Sequence, residues 1–446
     1  MNEAPDRNEE AQPARLPRYC KYKDSGVEWL GEIPAHWRTK RIKFVAPTRT
    51  GKLNTKPHDA VYVGLEHVEP WTGRLLLEDQ PEKIDSVVSP FAAGDVLLGK
   101  LRPYLAKAAR PDFDGVCTSE ILALRPTPGY LQSYLMYCLL NVSHVHWLHS
   151  LTYGARMPRV STDHVSTNSL PVPPQGEQRA IVRFLDDETA KLNALVERKE
   201  RLIELLQEKR TALITRAVTR GLDPDAPMRG SGVEWLGQLP AHWEVKRLKH
   251  LTPGTTVGIV VTPSRYYVDD GVPCLRSLNV SRGAVDTENL VFISNEANEL
   301  HRKSKIFAGD VVVVRTGQAG TAAVVPESLD GANCIDLLIV RRSELVLPKF
   351  VYYYLNSQAA ISQAAEQSVG AIQAHYNTST LARLVVPKIP LDEQSRLVTQ
   401  LDEVTQEIDC LVAKIRDAID HLHELRTALV SAAVTGKIDA REAASK

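Results

Sequence analysis

Two segments of this chain resemble sites of chemistry, and each lacks a group that the chemistry requires. Residues 94–101 read Gly-Asp-Val-Leu-Leu-Gly-Lys-Leu, but Leu101 stands where a phosphate-binding loop has a Ser or Thr to ligate magnesium. His144, His146 and His149 have neither HExxH spacing nor a cysteine partner. We therefore predict a strand at the first segment, and a helix edge with exposed histidines at the second.

Other catalytic signatures are absent from the sequence. There is no GxSxG elbow, no GxGxxG loop for a dinucleotide or S-adenosylmethionine, and no Asn/Asp-Pro-Pro-aromatic tetrapeptide of amino-methylating DNA methyltransferases. Pro111-Asp112 precedes Glu120, but the lysine that a PD-(D/E)xK nuclease places two residues after its glutamate is missing. We therefore predict a binding or organising protein with no catalytic residue and no metal of its own.

Composition limits the class of protein further. The 446 residues are 43% hydrophobic, enough for two to four domains of about 100–200 residues each. No apolar run approaches the roughly 20 residues of a membrane span, and no signal segment begins the chain, so we expect a cytoplasmic protein without membrane contact. The six cysteines form no CxxC pair, which predicts buried free thiols in a reducing compartment.

The charge is balanced overall but uneven along the chain. Lys+Arg and Asp+Glu both number 54, which argues against a protein that binds nucleic acid alone and without specificity. From Ile33 to His58, however, there are seven basic residues and no acidic residue. This stretch is either a solvated face or an anion-binding surface.

The elements that would position any binding residues are two long helices. Glu177–Arg220 contains no Gly and no Pro, and a helix of about 40 residues would be roughly 60 Å long. Its leucines predict a heptad seam in two series, the second three residues after the first, with Lys199 and Lys209 interrupting them. The predicted seam residues of this helix are Leu192, Leu195, Leu202, Leu206 and Leu213.

Glu393–Thr435 repeats this pattern at an offset of 216 residues and is the predicted partner helix. Its seam residues are Leu401, Val404, Ile408, Leu411, Ile415, Leu422, Leu425 and Leu429. Such helices act as a spacer when they pack lengthwise on each other. Two amphipathic helices in separate cores, or a coiled coil between molecules, would give the same pattern.

The chain after residue 20 is a tandem duplication. Ser25–Ala46 reads SGVEWLGEIPAHWRTKRIKFVA, and Ser231–Thr252 returns as SGVEWLGQLPAHWEVKRLKHLT. The middles share a plan of strands, a Tyr/Leu-rich helix and a polar loop, and each ends at prolines that cannot continue the preceding element. The predicted strands are Ala60–Gly64, Asp95–Leu101, Glu120–Leu124, Val272–Leu278, Asp310–Arg315 and Ile335–Val340, and the predicted short helices are Leu131–Leu140 and Phe350–Leu355.

These elements predict an α+β fold: two mixed α/β globular domains in tandem duplication, separated by two long helices with a coiled-coil seam. The predicted organisation is a disordered segment (1–20), a first globular domain (21–174), a central long helix (175–222), a second globular domain (223–390), a C-terminal long helix (391–436) and a tail (437–446).

The duplicated order of these motifs resembles the DNA specificity subunits of type I restriction-modification systems. The residues that carry the likeness are GVEWLGEIPAHW and GVEWLGQLPAHW, the Pro-Pro-Gln-Gly-Glu-Gln and Pro-Leu-Asp-Glu-Gln helix entries, and the Arg-Thr-Ala-Leu helix ends. The resemblance implies that each globular domain is a target-recognition domain for one half of a bipartite double-stranded DNA sequence. It implies that the two long antiparallel coiled-coil helices are related by pseudo-two-fold symmetry, fix the spacing and bind two methyltransferase subunits.

The same resemblance implies partners that carry the chemistry. Restriction/translocase subunits would join through the methyltransferase, and S-adenosylmethionine, ATP and magnesium are expected on partner subunits and not on this chain. A coiled-coil scaffold with protein-binding globular ends, or a stand-alone DNA-binding regulator, are the competing hypotheses.

Candidate DNA-binding residues follow from chemistry, because Arg or Lys reads guanine and Asn or Gln reads adenine from loops and strand ends. Expected phosphate contacts are Arg49, Lys52 and Lys56. Expected readers of the first domain are Lys100, Arg102, Tyr104, Lys107, Tyr153, Arg156 and Arg159. Expected readers of the second domain are Ser264, Arg265, Tyr266, Arg276, Asn279, Arg315, Gln318, Gln373, His375, Tyr376 and Asn377.

Overall fold

The computed structural model describes residues 16–78, 81, 83–316, 318–366 and 376–443. The chain forms two compact units. The first unit comprises the residues up to Lys199 together with those from Arg416 onward, and the second comprises Glu200–Ile415. Each long helix therefore contributes one half of its length to each unit.

The first unit contains four small sheets. Two are antiparallel pairs, Tyr22–Asp24 with Glu32–Pro34 and Arg38–Arg41 with Ser169–Val172. The strands of the two three-stranded sheets, in spatial order, are Val61–Val63, Gly115–Thr118 and Val88–Phe91, then Ala108–Ala109, Val96–Gly99 and Ile121–Leu124. Short helices span Ile42–Val45, Gln132–Leu139, Val142–Ser150, Thr162–Thr167 and Ala440–Ala443, with 3₁₀ turns at Leu65–His67 and Pro103–Leu105.

The second unit repeats this plan with more strands. Its antiparallel pairs are Met228–Gly230 with Gln238–Pro240, Glu244–Arg247 with Val385–Lys388, and Val280–Ser281 with Ala284–Val285. One four-stranded sheet has the order Thr255–Val257, Leu337–Val340, Val311–Val314 and Ala322–Val324, and the other Tyr267–Val268, Val291–Ile293, Val272–Leu275 and Asn333–Cys334. Helices span Asn295–Leu300, Pro348–Leu355, Gln358–Glu366 and Thr378–Arg383. The 3₁₀ turns are Leu248–His250, Pro263–Tyr266, Ser277–Asn279, Arg302–Ser304 and Glu327–Leu329.

The predicted strands and short helices all form, at slightly narrower bounds except for the second short helix, which begins at Pro348 rather than Phe350. The Val311–Val314 strand, for example, is four valines buried on both faces, between two neighbouring strands. The Tyr/Leu-rich helices are Gln132–Leu139 and Pro348–Leu355, called here the first and second tyrosine helices. Each is buried nearly all round, so no amphipathic pattern marks them in the sequence. The architecture is mixed helix and sheet, with two long helices.

The first long helix spans Gln175–Arg220 and the second spans Leu391–Val434. In the first unit, Ile181, Leu185 and Val434 belong to one hydrophobic core with the first tyrosine helix. In the second unit, Ile214, Val218 and Leu401 share a core with the second tyrosine helix. In each unit the beginning of one long helix therefore shares a core with the end of the other.

One half of the predicted seam is wrong. The first series is buried at Leu192, Leu401 and Ile408 and half-buried at its other members. The predicted second series lies mostly outside: Leu195, Leu202, Leu411 and Leu425 are 42% to 48% exposed. Lys209 is exposed and Val404 is only half-buried. The buried or half-buried second series lies one residue further along, and includes Thr189, Arg210, Thr405, Val412 and Arg426. Four of its members are polar, a Thr and an Arg in each helix, so an apolar pattern could not find it.

The repeated motifs join each globular part to a long helix through a carboxylate at the helix entry. Trp37 Nε1 donates to Glu177 Oε2 over 2.8 Å, and His36 lies 2.7 Å from Oε1. In the second unit, Trp243 Nε1 donates to Glu393 Oε1 over 3.1 Å, and His242 lies 2.9 Å from Oε2. Both indoles are fully buried, and each glutamate sits in the first helical turn, where the helix dipole favours negative charge. The Trp of each repeated motif and the Glu at each helix entry therefore make the same contact in both units.

The next residue of each helix recognises main chain. Gln178 Oε1 accepts from the Leu131 amide over 2.8 Å, and its Nε2 donates to the carbonyls of Gly129 and Pro173. Gln394 accepts from the Leu347 amide over 2.8 Å, and donates to the carbonyls of Leu345 and Ile389.

A tyrosine pins each tyrosine helix to a long helix. Tyr137 donates to Asp186 over 2.6 Å in the first unit, and Tyr353 donates to Asp402 over 2.7 Å in the second. Together with the glutamate and glutamine contacts, these bonds define the common frame of the two units.

The expectation of disorder over residues 1–20 is wrong for its last residues. Tyr19 is buried, and its hydroxyl donates to Glu177 over 3.0 Å. The Pro17 carbonyl accepts from the Asp439 amide, and Arg441 lies 3.6 Å from Glu177. A buried carboxylate needs donors, and these residues supply two of them, which orders both segments. Residues 1–15 lie outside the described part of the chain.

Candidate nucleic-acid interface

In the first unit, a buried carboxylate fixes the start of the strand that leads to the candidate readers. Asp95 is fully buried and accepts hydrogen bonds from Arg49, from Arg125 and from the Ala92 amide. Arg49 was predicted to contact phosphate, but this ion pair holds it in the fold instead. A buried charge needs such a partner, because the fold removes it from water. In the second unit Asp310 has the same role, with Arg341 as its ion-pair partner at 2.6 Å.

The segment Lys100–Ala106, called here the reading segment, begins where the strand Val96–Gly99 ends. Arg102 and Ala106 both have left-handed backbones, with φ of 51° and 46°, on either side of the turn Pro103–Leu105. This conformation costs about 1–2 kcal/mol for a residue with a side chain, so the surroundings must impose it. Arg102 and Tyr104 are exposed at the surface of this segment.

A hairpin, Tyr153–Arg159, lies beside the reading segment. Tyr153 and Arg159 exchange two backbone hydrogen bonds of 3.0 Å. The Arg102 amide donates to the Pro158 carbonyl over 2.7 Å, and the Val160 amide donates to the Lys100 carbonyl. The structure therefore brings together two candidate groups that are separated by about 50 residues in the sequence.

The hairpin carries a mixed surface of aromatic, apolar and basic side chains. Tyr153 and Met157 are 58% and 55% exposed, and Arg156 is also exposed. Arg159 donates to Glu120 over 2.9 Å, which orients its guanidinium and leaves it 42% exposed. Arginines on the same hairpin as an exposed aromatic side chain suit contacts with nucleic acid, because together they offer charge, hydrogen bonding and stacking.

Three other candidates of the first unit lie elsewhere. Lys107 is not a reader: its Nζ donates to the Leu65 carbonyl over 2.5 Å, and burial lowers its pKa. Lys56 is half-buried and reaches the His58 carbonyl over 3.5 Å. Lys52 is exposed. Of the three predicted phosphate contacts, Lys52 keeps the most accessible charge.

In the second unit, Ser264 and Arg265 are exposed on the 3₁₀ turn Pro263–Tyr266. The Arg265 guanidinium lies 4.8 Å from the centroid of the Tyr266 ring, which packs edge-on against His301 at 4.9 Å. The turn follows Thr262, another left-handed residue with φ of 42°. This turn therefore presents a guanidinium supported by an aromatic ring.

A second group forms at the end of the strand Val311–Val314. Arg315 Nη1 donates to Asp336 Oδ1 over 3.0 Å, and the Thr316 hydroxyl lies 3.4 Å from Oδ2. Asp336 is itself left-handed, with φ of 49°, and Arg315 remains 35% exposed. Gln318 is exposed nearby in the sequence. The pair orients Arg315 as Glu120 orients Arg159.

Four predicted readers of the second unit have structural roles. Asn279 is 1% exposed and bonds the Asn289 carbonyl and the Arg276 amide, while Arg276 Nη2 donates to the same carbonyl. Tyr376 is 4% exposed, belongs to the core, and has a pKa raised by burial. Asn377 caps the helix Thr378–Arg383 by accepting from the Thr380 amide. Burial and capping depend on tertiary neighbours, which the residue types do not reveal. Gln373 and His375 lie outside the described residues.

Glu120 and Asp336 were missed in the sequence, although they orient candidate arginines. Each stands one residue before a buried strand, Ile121–Leu124 or Leu337–Val340, at an offset of 216 residues. An acidic residue at the same place in both copies is a signal that comparison of the two middles could have found.

The histidine cluster and the cysteines differ in part from expectation. His144 is fully buried against Trp29, and burial lowers its pKa to about 4, while His146 and His149 are exposed. Cys20 and Cys410 are exposed rather than buried.

Within the described ranges, no group of three or more His, Cys, Asp or Glu residues is arranged to hold a metal ion. No helix among the described residues is both long and apolar enough to cross a membrane.

Comparison with known proteins agrees with this arrangement. Residues 37–205 match the family model described as the type I restriction modification DNA specificity domain. The chain is 24% identical over 302 residues to the EcoBI specificity subunit of Escherichia coli, a match that covers 65% of this chain and 63% of that subunit. It is 22% identical to the MjaVIII specificity subunit of Methanocaldococcus jannaschii, covering 78% of this chain and 76% of that protein.

The fold also matches a solved chain. That chain comes from a structural study of complex assembly and conformational transition of the type I R-M system. The TM-score is 0.60 at 21% identity, over 90% of this chain and 98% of the solved one. Like the duplicated motifs, these matches show that the chain is similar to type I restriction-modification specificity subunits.

Proposed function

We propose that this chain is the non-catalytic DNA specificity subunit of a type I restriction-modification complex, in which each unit reads one half of a bipartite target. The long helices form an antiparallel pair with pseudo-two-fold symmetry that sets the spacing between the half-sites. They also bind two methyltransferase subunits, through which restriction/translocase subunits join.

The observation that carries this proposal is a shared frame that presents different surfaces. Tyr137 and Tyr353, like Gln178 and Gln394, make matching bonds in the two units. The side chains that follow corresponding strands nevertheless differ: Arg102 and Tyr104 follow the strand Val96–Gly99 in the first unit, whereas Arg315 and Gln318 follow the strand Val311–Val314 in the second. Two related domains that bind different DNA sequences require a shared frame that carries different exposed side chains.

The chemistry of the tips supports DNA as the ligand. We propose that the guanidiniums of Arg102 and Arg156 in the first unit, and of Arg265 and Arg315 in the second, make bidentate bonds to guanine. We propose adenine as the partner of Gln318. We propose phosphate as the partner of the exposed Lys52, a contact that gives affinity without sequence preference.

The outer faces of the long helices support a protein partner. Leu195, Leu202 and Leu205 on one helix, and Leu411 and Leu425 on the other, are exposed although they are large and apolar. Leucines repeated at helical spacing on a solvent face suit a partner helix or groove. We assign S-adenosylmethionine, ATP and magnesium to the partner subunits.

The test is to co-express the chain with its methyltransferase subunits and to sequence the methylated DNA. The expected result is methylation at a bipartite motif with a fixed spacer, which neither partner gives alone. Binding of a bipartite target by the pure chain alone would instead indicate a stand-alone regulator. Methyltransferase subunits that co-purify with the chain but methylate no defined motif would indicate a scaffold, and both outcomes would refute the proposal.

A further inference from the structure

A buried arginine of the second long helix has no carboxylate partner. Arg426 is 5% exposed, and among the described residues no acidic side chain lies within ion-pair distance of it. Burial lowers its pKa, the charge of Glu69 opposes this only in part, and the carbonyls of Trp71 and Thr72 accept from its Nη1 and Nη2. A buried guanidinium is costly, so these two carbonyls hold the turn firmly against the helix.

The turn Glu69–Arg74, called here the bracket turn, is held from two sides. Arg426 grips it from the second long helix, and Arg74 lies 3.8 Å from Glu197 of the first long helix. Trp71 has a left-handed backbone with φ of 66°, an uncommon conformation for an aromatic residue. Gly73 lies against Met136, where a Cβ would meet the sulfur at 2.7 Å. The bracket turn is therefore tied to the helices in one fixed conformation.

The bracket turn is also hydrogen-bonded to the reading segment. The Trp71 amide donates to the Ala106 carbonyl over 3.1 Å, and Ala106 is one of the two left-handed residues of that segment. The Ala106 amide donates to the Pro103 carbonyl, which closes the turn that carries Tyr104. A continuous series of bonds therefore runs from Arg426 to the backbone beside Arg102 and Tyr104.

The matching arginine of the other helix is connected differently. Arg210 donates to Asp409 over 3.1 Å and to the Tyr352 hydroxyl over 3.4 Å. At the positions that correspond to Asp409 and Tyr352, the first unit has Asn193 and Met136, which offer no charge and no hydroxyl. Among the described residues, Arg210 donates to no main-chain carbonyl of the hairpin Val280–Val285. An Arg210 variant therefore removes the matching arginine without removing a bond to a turn, so it is the matched control for the Arg426 variants.

We propose that Arg426 is a positioning residue for sequence reading: it fixes the reading segment of the first unit to the long helices through the bracket turn. The inference rests on the proposed function, because it assumes that the reading segment contacts bases. It assigns no base contact to Arg426 itself. It also makes the accuracy of one half-site, and not the other, depend on a side chain of the spacer helix.

The test compares Arg426→Met, Arg426→Lys and Arg210→Met in the full chain, each co-expressed with its methyltransferase subunits. The probe is a duplex library with both half-sites randomised. For Arg426→Met we expect about a tenfold loss of discrimination in one half-site only, since two charge-assisted bonds are removed. Arg426→Lys keeps the charge but cannot bond both carbonyls, so its loss of discrimination should lie between that of the wild type and that of Arg426→Met. Arg210→Met should leave discrimination in both half-sites within about twofold.

A second measurement separates positioning from stability. The half-site affected by Arg426→Met should be the one affected by Arg102→Ala, and combining the two changes should cost less than the product of their separate effects. Hydrogen exchange at the Trp71 amide should also speed up in both Arg426 variants. If Arg426→Lys keeps full discrimination, or if the Arg426 variants weaken both half-sites equally, the inference is wrong. If the wild-type complex selects no sequence from the library, the proposed function fails first.

Discussion

The stability of the first unit should fall on mild acidification because of His144. This side chain is buried in the core, its Nδ1 lies 3.3 Å from the Leu139 carbonyl, and its Nε2 has no hydrogen-bond partner among the described residues. Burial, the larger cause, lowers its pKa from 6.5 to about 4, and the bond to Leu139 opposes this only in part. Between those two values the unfolded chain binds a proton that the folded chain does not, so stability is lost as the pH falls.

The magnitude follows from the two pKa values. The gap between 6.5 and about 4 corresponds to about 3 kcal/mol once the pH is below both, and about 2 kcal/mol of this should be lost between pH 7.5 and pH 5. Urea unfolding followed by tryptophan fluorescence measures it. His144→Gln, which cannot titrate, should be less stable at pH 7.5 but should lose about 2 kcal/mol less than the wild type on acidification. His146→Gln, on the exposed side of the same helix, should behave as the wild type. Equal losses in wild type and His144→Gln would refute the reasoning.

Three further predictions follow from the frame and its tips. Glu177→Gln should destabilise the chain by about 2–4 kcal/mol, and Glu393→Gln by about half as much, because Glu177 also meets Tyr19 and Arg441. Equal losses in urea unfolding would contradict this. Arg315→Ala should reduce discrimination in one half-site by about 1–3 kcal/mol, whereas Lys52→Ala should weaken all sequences alike and flatten the salt dependence; competition binding at graded salt distinguishes these results. Three extra heptads in each long helix add about 32 Å, so the complex should prefer a spacer about nine base pairs longer. An unchanged spacer preference would show that the helices do not set the spacing.

The sequence was most informative where the pattern is local. The valines of Val311–Val314 and the uninterrupted run of the first long helix predict their elements without reference to any neighbour. The duplication at offsets of 206 and 216 residues also predicted that Trp37 and Trp243 would have equivalent places, and both are fully buried. Periodicity and repetition can be measured within the chain itself.

The candidate site was less predictable, because exposure is decided by neighbours that are distant in sequence. Tyr376 and Tyr153 are both tyrosines on polar loops, yet one is in the core and the other is exposed. Arg49 and Arg102 have equal chemistry, but only Arg49 is close to a buried carboxylate. A list of base-reading residue types could therefore name the segments, while the choice of side chains within them required the fold.

The glutamines at the two helix entries have a consequence for how such a chain can change over generations. Gln178 and Gln394 recognise only amide and carbonyl groups of the globular part, which every residue type except proline provides in full. An anchor that ignores side-chain identity places no demand on the sequence it holds. If the proposed function holds, a globular middle that keeps the tyrosine bonded to Asp186 or Asp402 should be exchangeable by recombination between the motifs without loss of the glutamine contacts, and a new specificity should then arise in one event.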